Sequence, residues 1–204
     1  EEGKDVGTVL GCGYRTEWEV FVPTPFVGEG TPPSPLDFGY AKALRGRIAY
    51  LESSRGCPFS CAFCLSGRSG RVRFFDIERV KRDILALANA NTHTVKFVDR
   101  TFNADRARAR ALWCFIMENR ASGQIPEDVC FHFEIAGELL DEESLALLET
   151  APRGLFQMEI GLQSLNTETL KAISRAPVSA RLLENIRRLV KMGNIHIHTD
   201  LIAG

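Results

Sequence analysis

The chain has 204 residues, 45% of them hydrophobic and 25% charged, with 25 Lys and Arg against 26 Asp and Glu. That balance fits a globular domain of a size that buries its own core, and it excludes a fibre, a disordered chain or a broadly basic nucleic-acid binder. No apolar run approaches the roughly 20 residues of a membrane span, the start Glu1-Glu2-Gly3-Lys4-Asp5 is the reverse of a signal peptide, and six cysteines are too few for a disulfide scaffold, so a cytoplasmic setting is expected.

Residues 1–45 lack periodicity, and five of the nine prolines fall between Pro23 and Pro35 around Gly28 and Gly30. This stretch reads as a linker or wrapping arm, with the core expected over 46–204. The first strand is expected at 48–52 and is followed by a helix with Asp76 as N-cap and Ile77, Val80, Ile84, Leu87 and Ala88 on one stripe. A second strand at 94–98 leads to a helix after Asn103, with Ala107, Ala111, Cys114 and Phe115 at helical spacing. A third strand at 129–135 precedes a helix from Asp141 carrying Leu145 and Leu148. After a fourth strand at 155–160 come a short helix following Asn166 and a longer one capped by Ser179. The longer one has Leu182, Ile186, Leu189 and Val190 inward and Gly193 at its stop, and a fifth strand follows at 195–201.

Strands separated by helices imply parallel crossovers, in a doubly wound sheet or in an α/β barrel. A doubly wound sheet is covered on both faces, so its strands should be apolar on both sides. Here Val129, Phe131, Phe133 and Ile135 alternate with Cys130, His132 and Glu134. Phe156, Met158 and Ile160 alternate with Gln157 and Glu159; Ile195, Ile197 and Leu201 alternate with His196, His198 and Asp200. The expectation is therefore α/β with a partial, open parallel barrel whose apolar face packs on helices and whose polar face lines a ligand lumen. His132, His196 and His198 are core histidines or substrate contacts; for His196 and His198 the core reading is taken.

Between the first strand and first helix stands SRGCPFSCAFC, with thiols at Cys57, Cys61 and Cys64. Three thiolates on one loop can hold three irons of a 4Fe-4S cube and leave the fourth open to an outside ligand. Structural zinc would want a fourth Cys or His nearby, and the next histidine is His93. A thioredoxin-like use of Cys61 and Cys64 leaves Cys57 unexplained. Cys12, Cys114 and Cys130 read as buried small hydrophobes. The basic runs Arg68, Arg71, Arg73 and Arg106, Arg108, Arg110 read as solvated faces, and nucleic acid is not an expected partner.

At these residues the sequence resembles the radical SAM superfamily, whose signature is Cys-x3-Cys-x-aromatic-Cys after the first strand of a partial barrel. The resemblance implies Cys57, Cys61 and Cys64 as cluster ligands, and Phe63 beside the adenine of S-adenosylmethionine. It also implies reductive cleavage of that cofactor to a 5′-deoxyadenosyl radical that abstracts hydrogen from a substrate, with an electron donor such as flavodoxin or ferredoxin. Where the family usually has Gly-Gly-Glu, this chain has Val98-Asp99-Arg100-Thr101-Phe102, a departure that puts Asp99, Arg100 and Thr101 forward as substitutes. Glu134 is similar to an acidic residue that contacts the methionine moiety. Gly161-Leu162-Gln163-Ser164 resembles an element of the oxygen-independent coproporphyrinogen dehydrogenase branch, which implies cofactor contacts at Gln163, Arg175 and Asp200.

The stretches 50–56 and 96–103 are most similar to radical SAM proteins that carry an N-terminal cobalamin-binding domain. That likeness keeps open a cobalamin-dependent radical methyltransferase or methylthiotransferase, with cobalamin held by a domain absent from this chain. A non-catalytic metal-binding scaffold is the remaining alternative. The resemblance implies about five of six barrel strands, with the core truncated after Gly204.

Overall fold

The computed structural model describes residues 14–15, 17, 20–21, 31–66 and 71–202. The chain divides into two compact units, Glu1–Pro32 and Pro33–Gly204. In the first, Tyr14–Arg15 pairs antiparallel with Val20–Phe21. Cys12 lies outside the described residues.

The second unit begins thirteen residues before the expected core. Ser34 caps the 3-10 turn Pro35–Phe38, and its hydroxyl donates to Asp83 at 2.9 Å in the interior. Helix α1 (Tyr40–Leu44) follows and sends Leu44 into the core. The prolines suggest a linker by composition, but Ser34 and Leu44 tie 33–45 to the body.

Five parallel strands form one sheet in sequence order: β1 (Ala49–Leu51), β2 (Thr94–Phe97), β3 (Cys130–Glu134), β4 (Phe156–Gln163) and β5 (His196–Leu201). The order never reverses, which is the arrangement of a barrel wall and not of a doubly wound sheet. Among the described residues β1 and β5 are the outer strands of this sheet, the arrangement of a partial barrel wall.

Side chains capping helix starts accept from the third residue onward. Asp76 caps α2 (Ile77–Ala88), Asp105 caps α3 (Arg106–Ala121), Asp141 caps α4 (Glu142–Glu149), Asn166 caps α5 (Thr167–Ala172) and Ser179 caps α6 (Ala180–Met192). Gly193, at φ 71°, ends α6 in the left-handed region open to glycine. Between helices and sheet lies an aromatic core, in which Phe133 stacks on Phe97 at 4.8 Å and meets Phe102, Trp113 and Phe156.

Several sequence expectations need correction. On α3 the buried stripe is Ala109, Leu112, Trp113 and Ile116, while Ala107 and Ala111 face water. Helix α3 is apolar on several sides, so spacing alone does not single out a stripe, and the core takes the bulkiest one. On α6, Val190 is 61% exposed, and Asn185 is buried with its amide donating to the carbonyls of Gly137 and Leu140. Cys114 and Cys130 are half-buried. His196 and His198 are exposed, because β5 is an edge strand with no sixth neighbour among the described residues. Arg110 and Arg108 are not freely solvated: Arg110 pairs with Asp141 at 3.0 Å and Glu143 at 2.9 Å, and Arg108 lies over the Phe74 ring.

Candidate cofactor site

Parallel strands bring their C-terminal ends to one rim, and the loops that leave them converge there. On that rim is a cavity of about 330 Å³. One wall is the loop after β1, carrying Cys57, Cys61, Phe63 and Cys64; facing it are Arg100 and Thr101 after β2, Glu134 on β3, Glu159, Gly161 and Gln163 on β4, Arg175 after α5, and Asp200 on β5. The site thus draws on all five strand ends.

The cysteine loop is pinned at both ends. The short antiparallel pairing of Ser54–Arg55 with Arg73–Phe74 closes its base, and Ala62 N donates to the Ile173 carbonyl at 2.8 Å. Cys57 and Cys61 are buried, Cys64 is half-buried, and all three are free thiols. Cys57 Sγ is 3.3 Å from Thr101 Oγ1, and Arg175 Nη1 donates to Cys61 Sγ at 3.6 Å. A hydroxyl and a guanidinium thus stand against the two buried sulfurs. Among the described residues no three Cys, His, Asp or Glu groups converge tightly enough to hold a single ion. A cube bound at three separate irons asks instead for thiolates spread around a larger body, and three such thiols on one cavity wall fit it.

Gln163 owes its place to a β-bulge. The β4–β5 register pairs Gly161 with Asp200 and then Gln163 with Leu201, leaving Leu162 extra. Gln163 sits at φ 67°, its carbonyl accepting from Ile202 N at 2.8 Å. A Cβ at Gly161 would collide with the Gln163 amide and lie 3.5 Å from Arg175. Glycine there lets both side chains close over the strand end. Arg175 also donates to the Gly161 carbonyl, so it braces the cysteine loop against β4.

Asp99 is placed differently from Arg100 and the others: it is 1% exposed and lies outside the cavity lining. Its carboxylate accepts from Ser53 N at 2.7 Å and from the Ser53 and Ser54 hydroxyls at 2.6 Å each. Burial pushes its carboxyl up, and the three hydrogen bonds oppose that shift. Asp99 therefore fixes the strand end that launches the cysteine loop. The sequence reading did not single out Glu159, Glu138, Gly161 or Ser174 as site residues, yet all four line the cavity, as does Thr101. Glu159 was within reach of the alternation rule, since it shares its face with Gln157. Ser174 sits on a loop, where no period applies.

The Radical SAM superfamily pattern matches residues 51–204, and the chain belongs to that superfamily, whose members use a 4Fe-4S cluster and S-adenosylmethionine. The 2-(S-pantetheinyl)-carbapenam-3-carboxylate methyltransferase of Streptantibioticus cattleyicolor is 31% identical over 165 residues, covering 76% of this chain and 23% of that protein. The ribosomal protein uS12 methylthiotransferase RimO of Thermosynechococcus vestitus is 27% identical over 200 residues, covering 94% of this chain and 42% of its own. Among solved structures, the methyltransferase TsrM of Kitasatospora setae, with cobalamin and a 4Fe-4S cluster bound, matches with TM-score 0.68 at 18% identity, over 100% of this chain and 43% of that one. The cobalamin-dependent radical enzyme OxsB, with aqua-cobalamin bound, matches with TM-score 0.65 at 20% identity, over 98% and 30%. Such identities show the fold. The chain spans less than half the length of these relatives. No helix among the described residues is long and apolar enough to cross a membrane.

Proposed function

We propose that this chain is the core of a radical SAM enzyme, with Cys57, Cys61 and Cys64 as ligands of a 4Fe-4S cluster whose fourth iron is open to S-adenosylmethionine. The observation that carries this reading is the shared cavity: three thiols and Phe63 on one wall face Glu134, Gln163, Arg175 and Asp200 across it. When bound, the cluster supplies the electron that splits the sulfonium of S-adenosylmethionine into methionine and a 5′-deoxyadenosyl radical. The protein's part is to bind and orient. Phe63, 51% exposed on the cavity wall, offers a face for the adenine. Asp200 and Gln163, on neighbouring strand ends, can accept from and donate to the ribose hydroxyls, while Glu134 and Arg100 face the methionine moiety. Arg175 holds the cysteine loop, and Asp99 fixes its root. The reading further assigns a low-potential donor of the flavodoxin or ferredoxin kind and a cytoplasmic site of action, where thiols stay reduced.

Anaerobic reconstitution with iron and sulfide tests it. The native chain should take up about four irons, and with dithionite and S-adenosylmethionine it should release 5′-deoxyadenosine; Cys57→Ala, Cys61→Ala and Cys64→Ala should each abolish both. Iron uptake unaffected by those substitutions would overturn the assignment.

A second reading, cobalamin-dependent methyl or methylthio transfer, is favoured by the names of the relatives, two of which are a methyltransferase and a methylthiotransferase and two others cobalamin-bound enzymes. In it the segment before Pro33 joins the core to a cobalamin-binding domain. Formation of S-adenosylhomocysteine along with 5′-deoxyadenosine, dependent on added cobalamin, would select it.

A further inference from the structure

The loop that leaves β2 is fixed on both sides of Thr101. Two residues before it, Asp99 is held by Ser53 and Ser54 at the root of the cysteine loop. Two residues after it, Asn103 makes a pair of 2.9 Å hydrogen bonds with Ala136: its amide donates to the Ala136 carbonyl, and its Oδ1 accepts from the Ala136 N–H. Between them Phe102 is buried against Phe97 and Phe133. Thr101 is itself only 4% exposed, so its hydroxyl is shielded from water and set against Cys57 by a backbone that is held at both ends.

A hydroxyl has one proton to give and two lone pairs to offer. Thr101 Oγ1 donates to the Arg100 carbonyl at 2.8 Å and lies 3.3 Å from Cys57 Sγ. With the sulfur protonated these contacts form a relay, in which the thiol donates to Oγ1 and the hydroxyl donates to the carbonyl. A cysteine that ligates iron has lost its proton. The sulfur and the hydroxyl oxygen then face each other lone pair to lone pair in a buried place. Rotation about the Cβ–Oγ bond removes that conflict by turning the hydroxyl proton onto sulfur. A hydrogen bond to an ionised acceptor is roughly twice as strong as one to a neutral carbonyl, so the exchange is favourable.

We propose that Thr101 is a redox-tuning residue: its hydroxyl donates to the ligand sulfur of Cys57 and raises the reduction potential of the cluster. This rests on the cluster reading above. Reduction adds one electron from a low-potential donor, forms and breaks no bond, and leaves one more negative charge over iron and sulfur. A donor aimed at a ligand sulfur stabilises that more negative state more than the oxidised one, and hydrogen bonds to the sulfurs are among the factors that set such potentials. Thr101 therefore eases the entry of the electron. Arg175, the group against Cys61, also donates to the Gly161 carbonyl and braces β4, so its loss would mix two effects. The hydroxyl of Thr101 can be removed with the shape of the side chain kept.

The test is a redox titration of the reconstituted protein without S-adenosylmethionine, followed by the electron paramagnetic resonance signal of the reduced cluster. In Thr101→Val the ratio of reduced to oxidised cluster at a fixed potential should fall about tenfold, a drop of about 59 mV in the midpoint of a one-electron couple. Thr101→Ser keeps the donor and should stay within about twofold of the native ratio. Iron content should be about four per chain in all three proteins, which a merely structural role for the side chain would not leave untouched. A native or higher midpoint in Thr101→Val would overturn the proposal. Thr101→Ala repeats the measurement if the valine variant takes up no iron, and loss of iron from both would make Thr101 a support of the loop and overturn the tuning role as well. Failure of the native protein to take up iron would instead sink the cluster reading, and that outcome is seen before any variant is made.

Discussion

On the helix-covered face of the sheet, Phe97, Phe131, Phe133, Phe156 and Met158 are fully buried and pack on one another. On the other face of the same strands, Lys96, Glu134, Gln157 and Glu159 are only half-buried, and three of them meet in ion pairs. One face is held by dispersion and the removal of apolar surface from water; the other costs stability unless each charge finds a partner, and it gives the chain somewhere to bind a ligand. A strand that alternates strictly can do both jobs without either one disturbing the other.

The sharpest way to test that division is to damage one face and look for the effect on the other. Phe133 is fully buried and touches four aromatic neighbours, so Phe133→Ala should destabilise the protein by about 3–5 kcal/mol. Denaturant unfolding measures it. A loss below about 1 kcal/mol would mean that the aromatic layer is not the core's centre.

Asp200→Ala should do the reverse, leaving stability nearly unchanged while removing a charged partner from the cavity. A hydrogen bond to a charged group is worth roughly 1.5–3 kcal/mol, so S-adenosylmethionine should bind about ten- to a hundredfold more weakly at unchanged iron content. Isothermal titration of the reconstituted protein decides it, and unaltered affinity would remove Asp200 from the ligand contacts. Asp200 pairs with Gly161 across β4 and β5, so the test also probes the bulge that places Gln163.

These two substitutions mark how far the sequence could be read. Period-two alternation on β3, β4 and β5 placed Phe133 and Asp200 on their faces, and the Cys57, Cys61 and Cys64 spacing placed the loop. The sequence could not show that Asp99 would be taken by Ser53 and Ser54, 46 and 45 residues away, because a hydrogen bond across the fold leaves no local signal. The aim of Gln163 follows from a one-residue bulge, and residue types do not announce a bulge. The exposure of His196 and His198 depends on β5 having an open edge, which belongs to the sheet and not to the strand.

Acidic side chains divide in the same way, and Asp141 is the counterpart of Asp200 on the helical side. It caps α4 through Ser144 N at 2.9 Å and pairs with Arg110. Burial raises its carboxyl, but the Ser144 bonds and Arg110 outweigh this and bring it from 3.8 down to about 2. Because the folded value is depressed, the charge-dependent stability is complete above about pH 4 and is lost as pH falls toward 2. Asp141→Ala should cost about 1 kcal/mol at neutral pH through the lost cap. Asp141→Asn should keep much of the cap yet flatten the acid limb of stability between pH 4 and pH 2. Unfolding midpoints across that range, compared with the native protein, would show no difference if the charge plays no part.

The smallest effect belongs to Val190, and it separates pattern from packing. Leu182, Ile186, Leu189 and Val190 form one apolar group along α6, and helical spacing alone sends all four inward. Leu189 is fully buried, whereas Val190, one residue and about 100° further round the helix, is 61% exposed. Asn185 lies on the buried face with Leu182 and Leu189, and its amide ties α6 to the carbonyls of Gly137 and Leu140, while a Cβ on Gly137 would press into Leu182. A polar side chain is buried there because two carbonyls in the interior need a donor, while a single valine in water costs little. Val190→Lys should therefore change stability by no more than about 0.5 kcal/mol, measured by the same denaturant titration. A loss of 2 kcal/mol or more would show that Val190 is covered in solution and that the face of α6 beyond Leu189 is an interior one.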